Sequence, residues 1–594
     1  MTGTPVSHST RRFRPLLAGV LLLAAGFAAW LVMRGPATPV SSGPDAAGRD
    51  VATAPAARFV DITNDAGLAG VSRVNGATGE KLLPETTGGG GAFVDVDNDG
   101  DLDVVLVNGQ AWPWTKANPP ALRSTVVLYA NDGAGRFTDT TAAAGLAVQR
   151  YGMGVAAGDF DNDGWTDLYI TAVGRNVLLK NIGGRFHDIT AEAGVAGQAD
   201  DWSTCATWFD ADSDGDLDLF VCNYVRWSRQ LDLAQDFSLA GIGRAYGPPR
   251  NFAGAAPRFF VNQGDGHFVE RANAAGLVVT DPVTEMPAAK SLGVALAHLD
   301  ADRCLDLIVA NDTVRNFAFR NRCDGTFEEI GITLGLAYDS YGNARSGMGI
   351  DLAEVRDDGA PVVAIGNFAN EMTAFFARQA SGQFVDEAIA AGIGAPSRAF
   401  LTFGVLFFDY DLDGRQDLLT INGHVEDQIA LVQASQQHAQ PAALYWNAGT
   451  DARSTFVPVA DTGGLATPMV GRGGAYGDID GDGDLDLLLV PASGAVRLLR
   501  NDSAPGRWFR LRLVGRTSGH DAVGAVVEVE AGGRTKRRLV TATHGYLSQS
   551  DPGLTFGLAA GESPDMIRVT WPSGAVQTRS GVPLAQTTII TEVQ

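Results

Sequence analysis

A nine-residue acidic pattern occurs five times, and it limits what this chain can fold into more than any other feature. In Asp159-Phe160-Asp161-Asn162-Asp163-Gly164-Trp165-Thr166-Asp167, carboxylates occupy positions 1, 3, 5 and 9 and glycine occupies position 6. A hard cation such as Ca²⁺ takes six to eight oxygens, and alternate side chains of a tight loop can converge on one ion. Gly164 gives the backbone freedom for the turn. Position 7 contributes its carbonyl, so Trp165 is allowed there. The other copies are Asp95, Asp97, Asp99 and Asp103 with Asp101 at position 7; Asp210, Asp212, Asp214 and Asp218 with Asp216; Asp409, Asp411, Asp413 and Asp417 with Arg415; and Asp478, Asp480, Asp482 and Asp486 with Asp484. One copy is compatible with an ordinary acidic turn. Five copies with the same apolar flanks are not. An EF-hand is excluded because it needs glutamate at position 12, which is Leu106, Ile170, Val221, Thr420 or Leu489 here. The flanks are strand-like, so each loop is expected to be the tip of a β-hairpin holding Ca²⁺, about five ions in all.

The loop belongs to a longer repeat. A Gly-rich apolar strand (Tyr151-Gly-Met-Gly-Val-Ala-Ala-Gly) precedes it. An apolar strand, a further strand with an Asn-Gly-like turn and an Ala-Gly-Leu or Ala-Gly-Val ending follow. Two degenerate loops emerge at the same spacing. His298–Asp306 has His298 at position 1 and Arg303 in place of glycine, and Asp351–Gly359 has lost the carboxylate spacing. The second is expected to hold no Ca²⁺, and the first none or only very weakly. Seven units of about four short strands predict an all-β fold, a seven-bladed β-propeller over residues 57–501. Arg58–Leu68 resembles the end of a unit without a beginning, and Arg497–Asn501 a third strand without a fourth, so the two ends should complete one blade. Residues 502–594 change pattern, with strands such as Trp508–Leu513 and Met566–Trp571, and predict a separate small all-β sandwich or barrel.

The amino terminus predicts a location. Arg11, Arg12 and Arg14 precede Leu16–Met33, eighteen residues without a charge. That is just long enough to span a bilayer, and the positive-inside rule places residues 1–15 in the cytoplasm. Residues 16–33 are expected to be an uncleaved transmembrane anchor, with a cleaved signal and secretion as the alternative. Residues 34–56, rich in Pro, Gly, Ser and Ala, form a flexible linker. The body is then periplasmic or extracellular. There the even cysteine number invites pairing: Cys205 with Cys222 across the third loop, and Cys304 with Cys323 as a staple replacing the missing ion. Four buried free thiols are the alternative. The formal net charge is −23, which five Ca²⁺ would bring to about −13. Such a surface argues against nucleic acid as a partner.

The repeats resemble FG-GAP/VCBS repeats, the units of integrin-type propellers. Gly524-Ala525-Val526, His544–Ser550, Phe556-Gly-Leu558 and Val569–Gly574 resemble the ASPIC/UnbV domain. The two in this order are similar to the cartilage acidic protein family. The resemblance implies extracytoplasmic calcium binding with adhesion or ligand recognition, and no settled activity. Departures are Gly519-His-Asp-Ala, where a Ser-Asn-Arg-like turn is more usual, and Ala245-Tyr-Gly-Pro248, where Cys-Gly-Pro is usual; the second weakens disulfide assignment by analogy.

No nucleophile elbow, phosphate loop or paired-histidine metal motif is present. Polar residues follow the second strand of several units: Asn108, Asn223, Asn311 with Asp312, Asn367 with Glu371, and Asn422 with His424. A hairpin places its tip and its exit at opposite ends, so these residues, with Trp112, Trp114 and Trp227 nearby, should line the propeller mouth opposite the Ca²⁺ loops. Each asparagine alone could equally cap a local turn. The expected role is ligand recognition there, the ligand being an unknown protein or glycan. The alternatives are a glycan- or peptide-directed enzyme around Glu371 and His424, and a scaffold of a surface complex. Gly88–Gly91 is read as close backbone packing at the axis.

Overall fold

The computed structural model describes residues 52–115, 124–356, 359–449, 455–503, 506–559 and 561–593. The expected anchor at 16–33 and most of the linker lie outside them. Among the described residues no helix is long and apolar enough to cross a membrane. Ala52–Gln594 form one compact all-β unit.

Seven sheets of the described residues share one antiparallel meander. The second, for example, runs Tyr151–Gly158, Asp167–Val173, Val177–Asn181 and Phe186–Asp188. The reason lies in the sequence. First strands such as Ser203–Phe209 and Thr402–Phe408 are buried at every position, because both faces pack against neighbouring sheets and alternation is not needed. Fourth strands such as Phe186–Asp188 bury one residue and expose two, so apolar content falls from centre to rim. The innermost strands touch in cyclic order, from Gly91–Val94 through the other six sheets and back to Gly91–Val94. As the ends of the repeat predict, Phe59–Asp61 supplies the fourth strand of the last sheet, with Phe59 opposite Asn501.

A second circle of contacts joins the sheets, and it rests on a residue that the repeat pattern did not single out. The third strand usually ends in asparagine. Its amide nitrogen donates to the carbonyl of loop position 2 in the preceding sheet: Asn181 to Val96, Asn262 to Phe160, Asn321 to Ala211, Asn501 to Tyr410 and Asn131 to Ile479. Asn447 donates to Val355, the residue that directly follows the first strand where the loop has lost its spacing. The fifth sheet lacks this asparagine, and the Arg378 guanidinium donates to Leu299 O at 2.7 Å instead. The position-9 aspartate fixes both partners. Asp167 accepts from the amides of Phe160 and Asn181, and Asp218 from those of Ala211 and Asn262.

The carboxy-terminal module has two sheets around one core that includes Phe509, Val527, Phe556 and Trp571. It is less separate than its sequence suggests. The segment Thr543–Gln549 leaves the module and enters the centre of the ring, where Ala92 pairs in parallel with Gln549 and Val155 N donates to Leu547 O. The Gly-rich first strands make room for it. A Cβ at Gly90 would lie 2.5 Å from Leu547 O, and one at Gly473 would lie 2.9 Å from Tyr546 O. The expected close packing at the Gly88–Gly91 run is therefore present: Gly88 and Gly89 lie against Arg73 and Arg472, Gly90 against Gly154 and the module's own segment, and Gly91 against Val490.

Cys304 and Cys323 are joined by a disulfide, Cα to Cα 5.5 Å. The expected Cys205–Cys222 bridge is corrected: both are buried free thiols. A register shift between Ser203 and Ala206 opposite Asn223 and Val221 takes Cys205 out of direct opposition to Cys222.

Candidate calcium loops and a ligand-binding mouth

The five regular loops cluster on one side of the ring, under the carboxy-terminal module. Asn162 is left-handed at φ 56° and Gly164 at φ 85°, which lets Asp159 accept from the amides of Asp163 and Gly164. Carboxylate oxygens gather within 4.8 Å in Asp95, Asp97 and Asp99, in Asp159, Asp161 and Asp167, and in Asp210, Asp212 and Asp218. Burial and then the neighbouring aspartates push Asp484 up to about 8 and Asp411 to about 6. Asp95, Asp161, Asp212, Asp409 and Asp480 each bury one oxygen without a partner, and all five stand at position 1 or 3. In the second loop the Lys180 ammonium sits on Asp161 and 3.3 Å from Asp163, a cation among the ligands. Clustered, repelling carboxylates with orphaned oxygens are the donor set that a hard divalent cation needs. Side chains at positions 1, 3, 5 and 9 and the carbonyls of Asp101, Trp165, Asp216, Arg415 and Asp484 at position 7 would hold it. Its charge would relieve the repulsion between the loop's own carboxylates.

The degenerate loops have other partners. Asp351 accepts from Phe407 N and faces His544 Nδ1 of the central segment at 2.8 Å. His298 Nε2 lies 3.3 Å from Gly524 O.

At the opposite mouth, the expected polar ring is corrected. Asn311, Asn367 and Asn422 are almost fully buried. The Asn311 carboxamide oxygen accepts from Lys290 N and Ser291 Oγ, that of Asn422 accepts from Thr402 Oγ1, and Asn367 donates to Met372 O. They tie second strands to neighbouring segments, as local turn caps do, and offer nothing to a ligand. Glu371 accepts from Ser346 N and also stays out of the mouth. Trp112 stacks on Trp114 and Tyr151 with centroids 5.1 and 4.1 Å apart, and its indole donates to Glu85, so this cluster is structural.

Asp312 and His424 do face the mouth. They line a pocket of about 440 Å³ whose other walls are mainly apolar, among them Phe237, Tyr246, Met348, Phe368, Phe403 and Ile429. Residues 224–257, inserted between two strands of the third sheet, form one wall. They cross to the first sheet, where Leu83 N donates to Asp232 and Arg244 donates to Glu80 O. Burial and then the nearby Arg472 charge lower His424 to about 4, so its ring is neutral at neutral pH. Its Nδ1 accepts from Glu426 N, which leaves the proton on Nε2. Burial raises Asp312 to about 6, opposed by the Tyr224 hydroxyl that donates to it. Glu426 Oε1 pairs with Lys81, and Oε2 is buried without a partner. The pocket joins apolar walls to a few convergent polar groups, the composition of small-ligand and side-chain sites. The sequence marked Asp312 and His424 by their place after second strands but not the apolar walls, which come from five sheets.

With this geometry the chain is an all-β, propeller-like repeat protein with a carboxy-terminal sandwich. It carries FG-GAP-like repeats, matched at residues 95–170 and 159–221, and an ASPIC and UnbV domain, matched at 515–594. It is similar to cartilage acidic protein 1 of Xenopus tropicalis, 28% identical over 302 residues, and to that of Homo sapiens, 27% identical over 300 residues. These alignments cover 48% of this chain and 42% of the relatives, so the match spans well under half the relatives' length. Among solved structures, it is similar to YCF48 bound to D1 peptide (TM-score 0.36, 8% identity, 77% of this chain and 98% of that one). It is also similar to the six-bladed fungal lectin of Aleuria aurantia (TM-score 0.30, 9% identity, 64% and 97%).

Proposed function

We propose that this is an extracytoplasmic, calcium-stabilised seven-bladed propeller, anchored by residues 16–33, that recognises a ligand at the mouth opposite its calcium loops. The closed circle of Asn and Arg378 hydrogen bonds supports seven blades. The orphaned carboxylate oxygens support calcium. The observation that carries the recognition reading is the apolar pocket with His424, Asp312 and Glu426 at its wall. Its lining favours an apolar side chain of a protein ligand over a bare glycan, whose hydroxyls would go unpaired against Phe368, Met348 and Phe403.

The test is a thermal-shift screen of apolar peptides and glycans against the wild type, His424→Ala and the pocket-filling Ala369→Trp. Ligands that stabilise the wild type should fail to stabilise either variant. Ligands that bind both variants unchanged and protect the module after Asp502 would overturn the assignment. The anchor is checked separately: full-length protein should stay with membranes in high salt, and cleavage behind Met33 would refute it.

A further inference from the structure

The five loops repeat in sequence, but the carboxy-terminal module makes them electrostatically unequal. Its cations reach the position-1 aspartates. Arg512 Nη1 lies 3.4 Å from Asp95 Oδ2 in the first loop, and His520 Nδ1 lies 3.2 Å from Asp159 Oδ2 in the second. Arg510 Nη1 lies 3.4 Å from Asp478 Oδ2 in the last. In the sixth sheet's loop, Arg538 and Lys536 act on Asp409, and Arg415 lies 3.6 Å from Asp413. The second loop carries Lys180 as well. The third loop differs. Asp210 accepts from the amides of Ser213, Asp214 and Gly215. The charged side chains acting on it most strongly are Asp214 and Asp212, and among the described residues no carboxylate of this loop pairs with a Lys or Arg within 4.0 Å. The module meets that loop through backbone, Thr517 O standing 2.9 Å from where a Cβ of Gly215 would be, and through the apolar Val523, which packs on the cluster that holds Leu217.

Asp95 divides its oxygens accordingly. Oδ2 faces Arg512, and Oδ1 is buried without a partner, so one oxygen remains for an ion while the other carries the arginine. A fixed positive charge one carboxylate away from a divalent cation repels it, the more so where water is excluded. We infer that the carboxy-terminal module sets the calcium affinities of the propeller, leaving the third loop, Asp210–Asp218, as the tightest site and holding the first, sixth and last loops weaker through Arg512, the Lys536–Arg538 pair and Arg510, while Lys180 of the propeller itself weakens the second. This rests on the calcium reading above. By linkage, filling the weaker loops loosens the module's hold on them by the same factor.

The experiment is calorimetric Ca²⁺ titration of the purified, chelator-stripped protein residues 52–594, with circular dichroism to establish folding of every variant. The wild type should show one tight site and a weaker class. Asp214→Ala should remove the tight step, whereas Asp163→Ala should remove a weak one. Arg512→Gln should tighten one weak site about tenfold or more, and Arg510→Gln should tighten another, so the inference stays testable if either variant misfolds. A tight step that survives Asp214→Ala, or weak sites unmoved by both charge removals, overturns the inference while leaving calcium binding intact. No calcium binding by any form overturns the calcium reading itself, and this inference with it.

Discussion

The Tyr546 hydroxyl donates to the Thr87 carbonyl at 2.7 Å, across 459 positions of sequence. Tyr546 belongs to the module on the side of the acidic loops, and Thr87 lines the pocket on the other. The segment from His544 to Gln549 thus runs through the ring, with the Tyr546 ring against Phe403 at 5.1 Å.

Tyr546→Ala removes a fully buried side chain and should destabilise the protein by about 3–5 kcal/mol. Tyr546→Phe loses one hydrogen bond and should cost about 1 kcal/mol. Urea denaturation measures both. Equal losses would mean that the ring packs against nothing of consequence.

Chelation should lower the melting temperature sharply, because an ion at a hundred times its dissociation constant contributes about 2.7 kcal/mol per site. Asp163→Ala and Asp482→Ala should each remove one bound ion, and Asp302→Ala none. Melting that is unchanged in excess chelator would refute the structural role.

His544 links pH to the central segment. Burial alone would lower it, but the Asp351 charge and hydrogen bond outweigh burial and raise it. A raised folded-state value means that the stabilisation is complete below the unfolded value of about 6.5. It is lost as pH climbs through the higher folded-state value. His544→Gln should therefore flatten the alkaline side of the stability–pH curve; a parallel curve in the variant would count against the pair.

Glu592 predicts the opposite slope. Burial opposes ionisation, but the Ser573 and Ser518 hydroxyls and the amides of Arg516 and Ser518 outweigh it and bring Glu592 down to about 2. Its contribution is present above the unfolded value of about 4.3 and is lost as pH falls towards 2. Glu592→Gln should cost about 2–3 kcal/mol at pH 7 and much less at pH 3. Equal losses at both would show that charge is not involved.

The loops, the shared strand of the last sheet and the sandwich were legible because each leaves a local mark: fixed carboxylate spacing, an orphan half-repeat, period-two strands. The mouth was not. Asn311 and Asn422 follow their strands as ligand groups would, and only burial shows that their amides serve the backbone. The central segment was legible as the motif His544–Ser550 but not as an axial insertion, since nothing local marks which surface will surround it. The third-strand asparagines were visible in every copy but one, yet their partners lie 85 to 348 residues away.

The pairing of Phe59 with Asn501 also sets an order in time. A ribosome adding roughly 5–20 residues per second takes on the order of a minute to pass from one to the other. For that interval Phe59–Asp61 has no companion, because the three inner strands of its sheet, which lie between residues 471 and 501, are not yet complete. The last repeat to be synthesised is thus the one that decides when the first becomes safe, and chains halted before Asn501 should be the ones that quality-control proteases find.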